Sequence, residues 1–254
     1  MSIESQVELQ GIMAAGHAVA TALREMREYA RPGMSTKELD EYGAKILKAL
    51  GARSAPMKDY NFPGYTCISV NSEVCHGIPS SKRILQEGDL VNIDVSAELN
   101  GFYGDNGQSF VLGQDVNSLR PLVQSSREIL DKAIANISHD IRISAIGHLI
   151  ETEANKLGYT VIRNLCGHGI GRRLHEYPNE IPNFKDSGNS VRFKKDMVIA
   201  IETFISMGGS LAYELDDGWT MKSEGHEPVA QHEHTIIVTN GQPIIATKQL
   251  DYTA

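Results

Sequence analysis

One stretch of the chain, residues 87–110, limits the fold more than any other. It reads EGDLVNIDVSAELNGFYGDNGQSF and places two apolar segments around an Asn-Gly pair. Val91, Ile93 and Val95 alternate with polar residues, which is the period of a β-strand. Asn100-Gly101 is typical of a two-residue hairpin, because a type I′ turn needs a positive φ at both central residues. The stretch is therefore predicted to be a β-hairpin.

The hairpin register predicts where two carboxylates lie. If the turn sets the register, Asp94 pairs with Gly107. Asp105 then pairs with Ser96, and both acids point from the same face with their α-carbons roughly 7–8 Å apart. Two ionised carboxylates at that separation repel each other, and burying either one unpaired costs several kcal/mol. The hairpin thus predicts a cation between the two acids.

Composition excludes several classes of protein. The chain has 254 residues, 41% of them hydrophobic and 22% charged, which suits a globular protein with a sizeable core. The net charge of -8 argues against nucleic acid or an anionic membrane as the main partner. We find no apolar run of membrane-spanning length and no signal-peptide pattern. Cys67, Cys75 and Cys166 lack CxxC spacing, which favours a reducing compartment. We therefore expect a cytoplasmic protein. We also expect a monomer, because no apolar segment requires a partner.

Helix and strand patterns occur twice along the chain. Four segments have apolar residues at helical spacing: 6–29, 36–50, 119–137 and 143–157. Shorter apolar runs predict strands beyond the hairpin: 67–70, 160–162, 196–204 and 234–239. In each half of the chain, two helices come first, and strands that contain a buried acid follow them. This order predicts a single α+β domain over residues 1–254, with related halves at about 1–115 and 116–254.

The second half supplies further candidate metal ligands. His168 lies in CGHGIG, where glycines let the backbone approach a neighbour or ligand closely. Glu202 lies in the apolar run VIAIETF, and a glutamate is seldom buried without a partner. In VAQHEHTII, Glu233 faces away from His232 and His234 along the strand. Taken singly, His168 could be a loop residue and Glu202 one half of a buried salt bridge.

Together the candidates are four carboxylates and one imidazole. An oxygen-rich set with one histidine suits Mn²⁺, Fe²⁺, Co²⁺ or Zn²⁺ rather than a structural zinc, which prefers thiolates. Four acids exceed what one divalent ion needs for charge balance. Two ions that share carboxylates fit better, and such pairs activate water for hydrolysis. The residues leave the identity of the metal open.

These motifs resemble one known family. Asp94, Asp105, His168, Glu202 and Glu233, surrounded by CHGIP, VNIDV, CGHGIG and QHEHT, are similar in order to the ligands of the type I methionine aminopeptidases. Those enzymes belong to the pita-bread metallopeptidases of family M24, and the resemblance covers nearly the whole chain. It implies a pita-bread fold, with two helix-helix-strand halves around a central antiparallel sheet covered by helices.

The resemblance also implies a role for each ligand. Two divalent ions would be bound, with Asp94 chelating one of them. Asp105 and Glu233 would bridge the ions. His168 and Glu202 would complete the second ion, and Glu202 would also be the general base for the bridging water.

A substrate site is implied in the same way. His76 of CHGIP would contact the substrate backbone, and His175 of LHEYP would hydrogen-bond the scissile carbonyl and its developing oxyanion. An apolar methionine pocket would be lined by four residues: Phe62, Cys67, Leu174 and Trp219. His175 and Glu202 are only 27 residues apart, whereas type II enzymes insert a long segment there.

Three positions depart from the family pattern. Asn106 follows the second aspartate in place of a common threonine, and Thr203 follows Glu202 in place of proline. Cys166 begins the glycine-rich motif, which often begins with threonine. None of the three is a ligand, so the resemblance implies activity, with a change in metal preference or pocket shape left open.

The predicted activity is removal of the initiator methionine from chains whose second residue is small. Substrates would be N-terminal methionine peptides and nascent polypeptides, and ribosome association is left open. Two alternatives remain. One is an aminopeptidase that cuts X-Pro bonds, and the other is a non-catalytic binding protein on the same fold, although such proteins usually lack a ligand.

Overall fold

The computed structural model describes residues 1–248. Within them the helices are Gln6–Tyr29 (α1), Thr36–Ala49 (α2), Ala55–Tyr60 (α3), Arg120–Ala135 (α4) and Ile143–Lys156 (α5). The strands are Arg53–Ser54 (β1), Cys67–Val70 (β2), Glu73–Cys75 (β3), Leu90–Leu99 (β4), Phe102–Val111 (β5), Thr160–Val161 (β6), Cys166–Gly169 (β7), Glu176–Pro182 (β8), Val198–Ser206 (β9), Ala212–Glu214 (β10), Met221–Ser223 (β11), Val229–Ile237 (β12) and Ile244–Ile245 (β13). All four long helices form where the sequence predicts them, with ends within two residues.

A capping box and a glycine define the ends of α2. The Ser35 hydroxyl accepts the N–H of Glu38 at 3.2 Å, and the Glu38 carboxylate accepts the N–H of Ser35 at 2.8 Å. This capping box satisfies two N–H groups that a helix start leaves unpaired. Gly51, with φ of 75°, turns the chain away after the helix.

A large antiparallel sheet forms the centre of the molecule. Its strands lie in the order β1-β4-β5-β12-β9-β7-β8, with β2, β6 and β13 paired alongside. β12 lies between β5 and β9, so the hairpin of the first half meets the long strands of the second. α1 packs on β4 and β5, and α4 packs on β9 and β12. This is the antiparallel sheet covered by helices that the sequence predicts.

Two apolar cores hold the helices on the sheet. In the first, α1 and α2 pack on the hairpin through residues such as Leu23, Leu39 and Ile93. In the second, α4 and α5 pack on β9 and β12 through residues such as Ile129 and Ile201. These side chains are at most 2% exposed, and full burial of each contributes roughly 1.5–3 kcal/mol.

The single domain and its division near residue 115 stay predictions.

The hairpin has the predicted register. Asn100 and Gly101 have φ of 53° and 82°, as a type I′ turn requires. Asp94 pairs with Gly107, and Ser96 pairs with Asp105. Ser96, the partner of Asp105, lies two residues after Asp94 on β4. The two acids therefore point from the same face of the hairpin.

Several parts of the fold were not predicted. They include the two-residue strands β1 and β13, and also β7 and β8, where glycine and proline interrupt a period of two. A second sheet, in the order β10-β11-β3, consists of strands of three residues each, which are too short for a clear period of two. α3 lies outside the predicted helices, since six residues are too few for a helical period. None of the helices in the described part of the chain is long and apolar enough to cross a membrane.

Candidate metal centre and active site

One cavity brings together every residue that the sequence analysis assigned to the site. Its volume is about 410 Å³, and it lies where the hairpin and the strands of the second half meet. The predicted residues that line it are His76, Asp94, Asp105, His168, His175, Glu202, Glu233, Phe62, Cys67, Leu174 and Trp219. The sequence separations are large, so only the packing of β4, β5, β7, β9 and β12 makes them neighbours.

Antiparallel pairing places the acids side by side. Glu233 of β12 pairs directly with Glu202 of β9, and their side chains point from the same face. Ligand atoms of Asp105, His168 and Glu233 all lie within 4.8 Å of one another. Nε2 of His168 is 3.8 Å from Oδ2 of Asp105. These groups surround a position that a metal ion could occupy.

Neighbouring polar groups fix the orientation of two of these ligands. The Ser96 hydroxyl donates to Oδ1 of Asp105 at 2.7 Å. The Thr235 hydroxyl accepts the N–H of Asp105 at 2.9 Å and donates to its carbonyl at 2.8 Å. Nδ1 of His168 lies 3.0 Å from the carbonyl oxygen of Gly169. A carbonyl only accepts, so Nδ1 carries the proton and Nε2 presents a lone pair to the site.

Steric crowding explains why glycines flank His168. A Cβ at Gly167 would lie 2.5 Å from the carbonyl oxygen of Ala200, and one at Gly169 would lie 2.3 Å from that of Tyr177. Neighbouring backbone therefore approaches β7 too closely for any side chain there. This is the close approach that the sequence analysis expected of CGHGIG.

Gln231 belongs to the site, but the sequence analysis did not identify it. Its Nε2 donates to Glu233 at 3.1 Å and lies 3.4 Å from Oε2 of Glu202. Its Oε1 accepts from Nδ2 of Asn92 at 2.8 Å. A Cβ at Gly107 would lie 2.3 Å from this Oε1, so the glycine makes room for the amide. The spacing places Gln231 on the same strand face as Glu233, but an amide at that position is too ordinary to indicate a role.

The carboxylates are electrostatically strained without a cation. Burial raises the pKa of all four, that of Glu202 to about 8 and that of Asp94 to about 6. The charge of Asp94 raises the pKa of Asp105 and of Glu202 further. Within residues 1–248, no lysine or arginine forms an ion pair with any of them. Each carboxylate therefore lacks the positive partner that would favour its ionised form.

Two observations show that this donor set fits divalent metal ions. Oδ1 of Asp94 and Oε1 of Glu233 are closed to solvent and have no hydrogen-bond partner in the described part of the chain. Buried polar atoms are rarely left unpaired unless a ligand satisfies them. Burial also lowers the pKa of His168 to about 3, so its imidazole is neutral and able to bind a metal.

The same cavity also carries the predicted substrate residues. The rings of Phe62 and Trp219 meet edge to face, with centroids 5.2 Å apart and planes at 85°. The rings of His168 and His175 lie 4.2 Å apart, centroid to centroid. Tyr60, which the sequence analysis did not identify, has its hydroxyl 2.7 Å from Nδ1 of His175. The apolar wall and the metal ligands thus face the same space.

A short segment positions His175 within the cavity. The carboxylate of Glu176 accepts the N–H groups of Arg172 and Arg173 at 2.7 and 2.8 Å. It also forms an ion pair with the α-ammonium group of Met1 at 2.7 Å. Three contacts to the residue after His175 limit the movement of that histidine.

Of the three departures from the family pattern, Cys166 alone lines this cavity. Thr203 points to the other side of the sheet, where its hydroxyl lies 3.3 Å from the carbonyl oxygen of Ser126 on α4. Asn106 lines a separate cavity of about 300 Å³ between α1 and α4, together with His232. Neither residue contacts the predicted ligands from the active-site side.

Comparison with known proteins agrees with this architecture. Residues 10–240 match the model of metallopeptidase family M24. The chain is 49% identical over 248 residues to methionine aminopeptidase 2 of Bacillus subtilis, a match that covers 98% of this chain and 100% of that protein. It matches the crystal structure of a methionine aminopeptidase from Thermotoga maritima with a TM-score of 0.93 and 37% identity, over 98% of this chain and 100% of that one. A prolidase from Pyrococcus furiosus shares the fold, with a TM-score of 0.78, 22% identity and coverage of 98% and 66%.

A helix-covered antiparallel sheet with a carboxylate-rich centre defines a metallopeptidase of the pita-bread fold. The chain belongs to metallopeptidase family M24 and, within it, to the methionine aminopeptidases. The predicted family, fold and enzyme class, a metal-dependent exopeptidase, are therefore confirmed. The roles of individual residues stay predictions.

Proposed function

We propose that this enzyme removes the initiator methionine from new chains whose second residue is small, using two divalent metal ions. The observation that carries the proposal is the convergence of four carboxylates and a neutral histidine at one end of a cavity with apolar walls. Hydrolysis of an N-terminal bond needs both parts, one for the chemistry and one to bind the first side chain.

The chain offers enough ligands for two ions. Asp94 would hold one ion, and His168 and Glu202 the other. Asp105 and Glu233, at the centre of the group, would bind both. When bound, the ions would lower the pKa of a shared water and polarise the scissile carbonyl.

Glu202 would be the general base. Its Oε2 lies 3.4 Å from the amide nitrogen of Gln231, and the carboxylate, besides holding an ion, would accept a proton from the attacking water. The same carboxyl then returns the proton to the leaving amine. Its burial in the sheet excludes bulk water that would compete for the proton.

Two histidines serve the substrate. His175 donates a hydrogen bond to the scissile carbonyl oxygen, where negative charge develops in the transition state. His76, whose φ is 55°, projects into the same cavity and contacts the substrate backbone. The methionine side chain lies against Phe62, Cys67, Leu174 and Trp219. An apolar pocket for the first side chain beside the metal ligands suits an exopeptidase.

Peptide hydrolysis tests the proposal. Protein reconstituted with Mn²⁺, Co²⁺, Fe²⁺ or Zn²⁺ should release methionine from Met-Ala-initiated peptides and should leave Met-Leu-initiated peptides nearly intact. Cleavage of Ala-Pro peptides alone would show X-Pro specificity instead. Cleavage of none, with metal bound, would show a binding protein.

Metal analysis tests the number of ions. Anomalous scattering at several metal edges, from protein purified without added metal, should show two peaks within the cavity. A single peak at full occupancy would contradict the two-ion part of the proposal.

A further inference from the structure

Tyr60 and His175 form a hydrogen-bonded pair in the wall of the active-site cavity. The phenol oxygen lies 2.7 Å from Nδ1 of His175, and the two rings meet at 63° with centroids 5.6 Å apart. Within residues 1–248 no other polar group hydrogen-bonds to this imidazole. The contact joins residues that are 115 positions apart in the chain.

The local fold holds Tyr60 in place. It is the last residue of α3, a helix that begins with a hydrogen bond from the Met57 N–H to the Ser54 hydroxyl at 3.3 Å. Asn61 ends the helix in the left-handed region, with φ of 58°. The ring therefore leaves the backbone at a defined end of a capped helix, where it meets His175.

The phenol is the donor in this hydrogen bond. A phenol keeps its proton at neutral pH, and burial together with the charge of Asp59 raises the pKa of Tyr60 further. Asp59 does not accept that proton, since within the described residues no hydrogen bond joins it to Tyr60; its Oδ1 accepts from the Tyr103 hydroxyl at 3.0 Å and from Lys58 at 2.8 Å. Nδ1 of His175 is then the acceptor, which places the proton of the neutral ring on Nε2.

We propose that Tyr60 is a positioning residue that holds His175 in the tautomer with its proton on Nε2. This inference rests on the proposed function, in which Nε2 of His175 donates to the scissile carbonyl. In the other tautomer Nε2 would present a lone pair to the developing oxyanion and would repel it. Tyr60 acts through His175 and does not touch the reacting atoms.

Kinetics of a single-atom change test this role. Tyr60→Phe removes the hydroxyl and keeps the ring. With a Met-Ala-initiated peptide we expect kcat to fall about tenfold and KM to stay within about twofold, because the donor acts mainly on the transition state. Tyr65→Phe is the matched control, since Tyr65 is similarly exposed, at 40% against 44%, and lies outside the active-site cavity. Its kcat should equal that of the wild type.

A double-mutant cycle separates positioning from general disturbance. If Tyr60 acts only through His175, the Tyr60→Phe/His175→Ala double variant should be no slower than His175→Ala alone. Full additivity of the two losses, or an unchanged kcat in Tyr60→Phe, would overturn the proposal.

Nitrogen-15 NMR of the imidazoles tests the tautomer without catalysis. In wild-type protein loaded with Zn²⁺, the His175 signals, assigned by their absence in His175→Ala, should show a protonated Nε2. Tyr60→Phe should shift them towards a mixture of tautomers, and Tyr65→Phe should not. A protonated Nδ1 in the wild type would refute the role of Tyr60. Failure of the wild type to cleave methionine peptides would instead refute the proposed function, and the NMR result would still decide the tautomer.

Discussion

Asp94 and Asp105 are diagonal neighbours on one face of the hairpin, and both line the active-site cavity. Oδ1 of Asp94 is closed to solvent and unpaired within the described residues, while Oδ1 of Asp105 accepts from Ser96. Burial and the charge of Asp94 together raise the pKa of Asp105. The negative charge of the hairpin must therefore be compensated by a bound cation or by protonation, and this has measurable consequences for stability and catalysis.

Metal-free protein should lose stability as the pH rises. The folded state raises the pKa of Glu202 from its ordinary 4.5 to about 8, so the folded protein binds this proton more tightly than the unfolded chain does. The resulting stability is fully present below pH 4.5 and is lost as the pH rises through about 8. Glu202→Gln cannot lose a proton. In chelator-treated samples we expect its Tm to exceed that of the wild type by a margin that grows between pH 5 and 8.

The control for this pH effect is Glu214→Gln, because Glu214 is exposed on β10. Its Tm should follow that of the wild type at every pH. Addition of Mn²⁺ should raise the Tm of the wild type most at pH 8, where the carboxylates of the metal-free protein are most strained. A Tm difference between Glu202→Gln and wild type that stays constant with pH would show that Glu202 titrates normally.

Glu202→Gln should also remove most of the turnover while the protein still binds metal. An amide cannot accept the proton of the attacking water, and loss of a general base costs roughly 10²–10⁴-fold in rate. Isothermal titration with Mn²⁺ should still detect binding through the remaining ligands. Turnover near the wild-type value would exclude Glu202 as the base.

His175→Ala should lower kcat more than it raises KM. A donor to the developing oxyanion acts on the transition state, and its loss costs on the order of 10²–10³-fold in kcat. His148→Ala is a matched control on α5, where the imidazole is exposed and remote from the cavity. An effect on KM alone would assign His175 to substrate binding instead.

Gly107→Ala should disturb the metal centre through Gln231. The new methyl group would lie 2.3 Å from Oε1 of Gln231 and would push the amide away from the two glutamates that it supports. Overpacking of this kind costs roughly 1–3 kcal/mol, and loss of a ligand's supporting hydrogen bond weakens metal affinity about 10–100-fold. Gly241→Ala, with no atom within 4 Å of the added methyl, should change neither Tm nor Mn²⁺ affinity. Equal metal affinity in both variants would show that Gln231 does not support the ligands.

Local patterns were sufficient for much of the fold. The helices have clear apolar periods, and the ends of α2 follow from a capping box and a glycine. The hairpin register follows from Asn100-Gly101, because the φ values that this turn requires admit few other residues. Short elements escaped prediction, since α3 and the strands of the small sheet have no room to develop a period.

Some residues of the site can also be predicted from local sequence, and others cannot. Asp94, Asp105, Glu202 and Glu233 stand out in the sequence, because a carboxylate within an apolar strand costs free energy unless it binds a cation. Gln231 and Tyr60 do not stand out, because an amide and a phenol are ordinary on strands and at helix ends. Their importance comes from their partners.

The sequence by itself determined the helices, the hairpin register and which carboxylates are buried, because these depend on periodicity and turn conformation within a few residues. Only the tertiary structure decided that β4, β5, β9 and β12 converge on one cavity. It also decided that Gln231 supports two glutamates, and that Tyr60 meets His175. These relationships depend on distances between residues far apart in the chain and on the loss of solvent around them, and no local pattern encodes either quantity.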